Sequence, residues 1–116
     1  RFEDAVFRTY FAVDVHALSK SKKDGDGGIM RTGVSRKPYD IPLRSLIAKD
    51  VKGLLMAGRN ISGDFIAHSS YRVTGNSVQC GQAAGVLAAV ASQQNVNPDE
   101  VPWNQVEPVL QNFKKA

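Results

Sequence analysis

The sequence has a single cysteine and no long apolar run, and each shortage excludes a class of protein. Cys80 alone cannot form an intrachain disulfide, and inside a segment of small residues it is expected to be a buried thiol. No stretch approaches the roughly eighteen consecutive apolar residues of a membrane helix, and no basic segment precedes an apolar run as in a secretory signal. The 116 residues, 42% apolar and 22% charged, are typical of one globular domain.

The net charge of +4 comes from the first half of the chain. Much of it lies near "SKSKKDGDGG", residues 19–28, which contains no apolar residue and is predicted to be a solvated loop. Aromatic side chains are not interleaved with these cations, so we expect no nucleic-acid surface, although the pI near 9.4 keeps it as a weak alternative. A calcium loop starting at Asp24 would need a glutamate where Ser35 stands, so we expect no metal site.

Periodicity predicts strands in the first half of the chain and helices in the second. Residues 4–18 alternate apolar and polar side chains as a strand does, and residues 28–47 are broken by proline into short extended pieces. "GLLMAG", residues 53–58, resembles a strand buried on both faces. Helices are predicted from Asn76 to Gln94 and from Pro102 or Trp103 to Lys114, the second kinked or broken at Pro108.

The first of these helices carries a row of small residues, Cys80, Gly81, Ala84, Gly85 and Ala88. Their spacing predicts one face on which the helix axis comes close to a strand or to a flat ligand. The preceding "TGNS" turn, residues 74–77, has side chains able to cap and N–H groups at the positive end of the helix dipole. Such an end attracts an anionic or carbonyl oxygen.

Three separated segments resemble the carboxy-terminal part of the FAD-dependent oxidoreductase family. They are "DAVFRTYFAVDVH", "YDIPLRSLIAKDVKGLLMAGRNISG" and "SSYRVTGNSVQCGQAAGVLAA", and they occur in the order that the family has. A more distant similarity is to fumarate-reductase-type flavoproteins, in which an Arg-x-Gly-Gly-Asn turn closes over the flavin; here Thr74 replaces the first glycine.

The resemblance implies an α/β protein, with α+β character within this stretch: the C-terminal piece of a Rossmann-like FAD-binding domain plus short strands of the substrate-side sheet. Residues 1–52 would supply those strands and the basic loop, and residues 53–116 the last strand and the helices, in one compact fragment. No G-x-G-x-x-G fingerprint is present, so the segment that carries it is expected upstream of Arg1.

The resemblance also implies site residues. The flavin's ribityl and pyrophosphate would pass "AGR", residues 57–59, and the pyrimidine edge of its ring would meet the N–H groups at the start of the helix. The implied cofactor-binding residues are Gly58, Arg59, Gly75, Asn76, Ser77 and Val78. Arg72 would clamp a substrate carboxylate or stabilise the reduced flavin, and His68 would act as an acid, a base or a binding group.

Each of these side chains also has a structural explanation. Arg72 could pair with a surface acid, and His68 could be a solvated loop residue. There are two further candidate site residues. One is His16, with Asp14 as a possible orienting partner. The other is Arg44, which is equally consistent with a structural ion pair.

The expected function is therefore the C-terminal part of an FAD-dependent oxidoreductase, closing the flavin site for hydride transfer to or from an unidentified small molecule. By itself the stretch is expected to be inactive. Its partners would be FAD, the substrate and the upstream part of the parent chain, with no membrane or nucleic acid. The alternative is a non-catalytic binding or structural module descended from such a domain, which the missing fingerprint favours.

Overall fold

A computed structural model describes residues 1–13, 15–16, 29–30 and 37–115; for 15–16 and 29–30 the backbone alone is described. In these residues, four strands precede three α-helices. The strands are β1 (Ala5–Thr9), β2 (Val15–His16), β3 (Ile29–Met30) and β4 (Tyr39–Pro42), and the helices are α1 (Phe65–Tyr71), α2 (Thr74–Gln94) and α3 (Trp103–Lys115). Short 3₁₀ segments cover Leu43–Leu46 and Pro98–Glu100. The basic loop lies outside the described residues.

The predicted strand over 4–18 is interrupted after Thr9. β1 pairs antiparallel with β4, and a bulge at Val6 shifts the register between Ala5 and Phe7. β2 pairs antiparallel with β3. Val6 and Phe7 are buried, whereas Arg8 lies opposite Asp40 and pairs with it. β1 and β4 thus contribute apolar side chains to the core.

The prediction of a fully buried strand over residues 53–58 was wrong. The segment forms one isolated antiparallel bridge between Leu55 and Ile47, and its Leu54 is 43% exposed. Gly53 and Gly58 have φ values of +73° and +95°, which belong to turns and interrupt the extended backbone on both sides. The two glycines therefore mark the ends of a segment that pairs at one bridge and forms no regular strand.

α1 was not predicted, although its start has a recognisable signal. The Asp64 carboxylate accepts a hydrogen bond of 2.8 Å from the Ala67 N–H and so caps the helix. α2 follows after Arg72 and Val73, close to its predicted bounds, and ends at Asn95 in the left-handed conformation, with φ 54°.

The buried face of α2 differs from the predicted small-residue face. Its buried residues recur at intervals of three and four residues and join one core cluster with β1, β4 and α3. Gly81, Gly85 and Ala88 lie further round the helix and are exposed. A Cβ atom built on Gly81 or Gly85 meets no atom within 4 Å. Of the two predicted partners of this face, a strand of this chain is therefore not the one that Gly81 and Gly85 contact, and close approach to a flat ligand stays a prediction. The buried residues of α2 are Asn76, Cys80, Ala83, Ala84, Val86, Leu87, Val90 and Ala91.

α3 continues through Pro108, so of the predicted kink or break at this proline the break is not observed. Proline lacks the N–H that would bond to the Asn104 carbonyl, but Val106 and Leu110 on either side of it are buried against the core. Packing of this apolar stripe therefore outweighs the one missing hydrogen bond. Strands in the first part and helices in the second confirm the predicted α/β class, with α+β character in this stretch.

Candidate functional site

The "AGR" turn, residues 57–59, packs against the first turns of α2. Gly58 is buried, and a Cβ atom at its position would lie 3.3 Å from Ser77 Oγ and 3.6 Å from Ser77 Cβ. A side chain at position 58 would therefore be strained by the positive φ angle and would crowd Ser77 on the neighbouring helix. Two of the segments that carry the family resemblance therefore meet at a backbone contact that glycine permits.

Cys80 lies beside the same turn, one helical turn beyond Ser77. Burial raises the pKa of its thiol, and the backbone N–H of Gly58 acts in the opposite direction because it would stabilise the thiolate. The side chain is 1% exposed and belongs to the core. The expectation of a buried structural thiol is confirmed.

The amino end of α2 is open and uncapped. Its N-cap residue Val73 offers no side-chain acceptor, and the first turn contains no acidic residue. Gly75 is exposed, with no atom within 4 Å of an added Cβ, and Val78 is 56% exposed. Because the first N–H groups of an α-helix have no intrahelical acceptor, this end presents hydrogen-bond donors and positive potential.

The Asn76 side chain is occupied by the protein interior. Its Nδ2 donates 2.8 Å to Thr9 Oγ1 and 3.3 Å to the Tyr71 carbonyl. Thr9 and Asn76 are both buried, so this amide connects β1 to the junction of α1 and α2. For a ligand at the helix end, Asn76 has its backbone N–H to offer.

His68 is brought to the "AGR" turn by α1. Its Nε2 lies 3.1 Å from the Arg59 carbonyl oxygen, and its ring meets the Tyr71 ring edge-on at 5.5 Å between centroids. Gly58, Arg59, His68 and Ser77 therefore lie in one region of the structure. The sequence analysis did not identify Tyr71 as part of it; the aromatic residue three positions after the histidine was the available signal.

Arg72 terminates α1 as its C-cap and is half-buried. Arg72 also interacts with another group of the chain, so it is not without a partner. Arg44 forms an ion pair of 2.6 Å with Asp4 and lies 4.8 Å from the centroid of the Phe2 ring. Arg44 was predicted to be either a site residue or a member of a structural ion pair, and the ion pair is what the structure shows. Asp14 and the His16 side chain lie outside the described part of the chain.

Within the described residues, no group of three His, Cys, Asp or Glu side chains is arranged to hold a metal ion. None of the helices described is long and apolar enough to span a bilayer.

A sequence model of the FAD dependent oxidoreductase family matches residues 1–110 of this chain. The chain belongs to that family of enzymes and is a flavoprotein oxidoreductase-type domain. Neither a curated protein nor a solved structure gives a significant match.

FAD is the cofactor that family membership implies. Two observations show that the described residues are suited to contact FAD. The α2 end has uncapped donors for an electron-rich ring edge, and Gly58 keeps the neighbouring turn free of a side chain.

Proposed function

We propose that this chain forms the C-terminal part of an FAD-dependent oxidoreductase and helps to close the flavin site for hydride transfer. The observation that carries the proposal is the contact of the Gly58 turn with the open amino end of α2. A side chain on Gly58 would crowd Ser77, and a capping carboxylate on α2 would compete for its N–H groups.

In this proposal the cofactor, when bound, supplies the hydride acceptor or donor. The N–H groups of Gly75 and Asn76 hold and polarise the ring edge at which negative charge collects. The Ser77 N–H donates to the Val73 carbonyl at 3.1 Å, and the Val78 N–H lies within the helical hydrogen-bond pattern, so these two predicted cofactor-binding residues contribute to the positive end of the helix dipole and not hydrogen bonds to the ring. Gly58 and Arg59 border the ribityl and pyrophosphate portion. The separation of the chain at residue 52 into a substrate-side part and a flavin-side part belongs to the same proposal.

Arg72 and His68 are the proposed catalytic residues. Arg72 either clamps a substrate carboxylate or stabilises negative charge on the reduced ring, for which a guanidinium is well suited. His68 holds or moves a proton at Nδ1, because its Nε2 is used by the Arg59 carbonyl. Its position one hydrogen bond away from the "AGR" turn supports this role.

FAD titration followed by flavin fluorescence tests the proposal. The 116-residue chain is expected to show no saturable micromolar binding, because its sequence has no dinucleotide fingerprint, whereas the longer protein that contains it should bind. The alternative, a non-catalytic module, predicts that the longer protein also fails to bind. Saturable binding by the 116 residues alone would contradict the proposed division of the site.

A second measurement addresses the proposed role of Arg72 without knowledge of the substrate. If its guanidinium stabilises the reduced flavin, Arg72→Ala lowers the flavin midpoint potential in the longer protein, and Arg72→Lys recovers part of it. An unchanged potential in both variants would leave the substrate clamp as the remaining role of Arg72.

A further inference from the structure

Two side chains on one face of α1 bind the backbone of the loop that follows Gly58. His68 Nε2 contacts the Arg59 carbonyl at 3.1 Å, and the Tyr71 hydroxyl donates 2.8 Å to the Ile61 carbonyl. The two side chains are three residues apart on the helix, and the carbonyls are two residues apart on the loop. α1 therefore holds residues 59–61 at two successive points.

Tyr71 is the more firmly fixed of the two side chains. It is 3% exposed, and its hydroxyl donates to the carbonyl of Ile61, a residue that is itself buried. Its own backbone carbonyl accepts bonds from the Val73 N–H at 2.8 Å and from Asn76 Nδ2 at 3.3 Å. One residue thus connects the loop, α1 and the first turn of α2.

Gly63 provides the space that this arrangement requires. A Cβ atom at position 63 would lie 2.7 Å from Cε1 and 2.8 Å from the hydroxyl oxygen of Tyr71. Unlike Gly53 and Gly58, Gly63 does not have a positive φ. The requirement for glycine here therefore comes from the tyrosine ring and not from the backbone.

The contact with Arg59 determines which nitrogen of His68 carries the proton. A carbonyl oxygen can only accept a hydrogen bond, so Nε2 must be the N–H and, in the neutral imidazole, Nδ1 must hold the lone pair. The edge-on contact with Tyr71, at an interplanar angle of 81°, restricts rotation of the imidazole away from this bond.

We propose that Tyr71 is a positioning residue: together with Gly63 it holds the 59–61 loop so that the His68 imidazole is kept as the Nε2–H tautomer, with Nδ1 as the proton-accepting atom. The use of Nδ1 in catalysis rests on the proposed function. The orientation and tautomer of His68 are properties of this chain.

The test is the tautomer of His68, read from long-range ¹H–¹⁵N correlations of the histidine-labelled 116-residue chain at alkaline pH. His68→Gln assigns the signals, since His16 is the other histidine. Wild type is expected to show mainly the Nε2–H tautomer, with ¹⁵N shifts distinct from those of the urea-unfolded chain. In Tyr71→Phe the shifts should move towards the unfolded values, because the loop loses the bond from Tyr71 to the Ile61 carbonyl and is held to α1 by His68 alone.

Matched variants separate this effect from a general loss of stability. Ser69→Ala removes another α1 hydroxyl, one that donates 2.7 Å to the Ile66 carbonyl within the helix, and should leave the His68 signals unchanged. Gly63→Ala should change them as Tyr71→Phe does, whereas Gly81→Ala, where an added Cβ meets no atom within 4 Å, should not.

An Nδ1–H tautomer in wild type, or wild-type shifts in a folded Tyr71→Phe, would overturn the inference. If Tyr71→Phe fails to fold, Gly63→Ala takes its place in the test: wild-type His68 shifts in folded Gly63→Ala would then overturn the inference. The FAD titration is independent of these spectra. A fixed tautomer in a protein that binds no flavin would remove the proposed function and leave the positioning role of Tyr71 in place.

Discussion

Lys114 near the end of α3 donates a hydrogen bond of 2.6 Å from Nζ to the carbonyl of Val6 in β1. Val6 is the residue at which the β1–β4 register shifts, and a bulge leaves backbone groups outside the regular ladder. An ammonium group from the other end of the chain satisfies this carbonyl. The first strand and the last helix are thus joined at an irregularity of the sheet.

Replacing Lys114 by Met should lower the free energy of unfolding by about 1 kcal/mol, because methionine keeps an apolar stem and removes the donor. The loss should be visible as a lower urea midpoint with an unchanged slope. Lys115→Met, which changes an exposed neighbour in the same helix, is the control. Equal midpoints for the two variants would show that the bond to Val6 contributes nothing.

Acid should destabilise the protein through Asp40. Its hydrogen bond to the Arg8 guanidinium, 2.8 Å long, holds the pKa of the carboxyl below its ordinary value. A depressed pKa in the folded state contributes stability above the ordinary Asp pKa of about 3.9, and that contribution is lost as the pH falls through the folded pKa. Urea unfolding between pH 6 and pH 2 should therefore be less pH-dependent in Asp40→Asn than in wild type. An unchanged pH dependence would assign the acid sensitivity to other carboxylates.

Gly81→Ala and Gly85→Ala should each stabilise the chain by about 0.5–1 kcal/mol. Both positions lie within α2, where alanine is the better helix former, and an added Cβ meets no atom within 4 Å. Gly63→Ala should have the opposite sign, since its Cβ would lie 2.7 Å from the Tyr71 ring. Thermal melts of the three variants test this; a lower melting temperature for Gly81→Ala would indicate that the face is covered in solution.

Gly58→Ala should cost more stability than Gly53→Ala. Both residues have positive φ, so each substitution carries a backbone penalty of about 1 kcal/mol, but Gly58→Ala also crowds Ser77, whereas the nearest atom to a Cβ on Gly53 is 3.9 Å away. Adding Ser77→Ala should recover part of the difference, because it removes the Oγ atom at 3.3 Å. Additive effects in this double-mutant cycle would contradict the proposed contact.

Sequence patterns determined the family, the α/β class and the two long helices. The class and the helices follow from local periodicity, and the family follows from motifs whose order can be read directly from the sequence. The helix that starts at Thr74 and ends before Asn95 illustrates this, since its N-terminal turn and its left-handed terminal residue are both local features. The core face of that helix was not determined locally. Small side chains occur on both of its sides, and contact with β1 and α3 decides which of them are buried.

Tertiary structure alone decided the arrangement around His68. Gly58 and Ser77, His68 and Arg59, and Tyr71 and Gly63 are separated by eight to nineteen residues, and no periodic pattern relates positions across a turn and a helix junction. The same holds for 53–58, where two glycines that frame an apolar run could bound a strand or prevent one. Among the described residues the segment has one bridging partner, Ile47, and the backbone hydrogen bonds that would extend a strand beyond Leu55 are not formed.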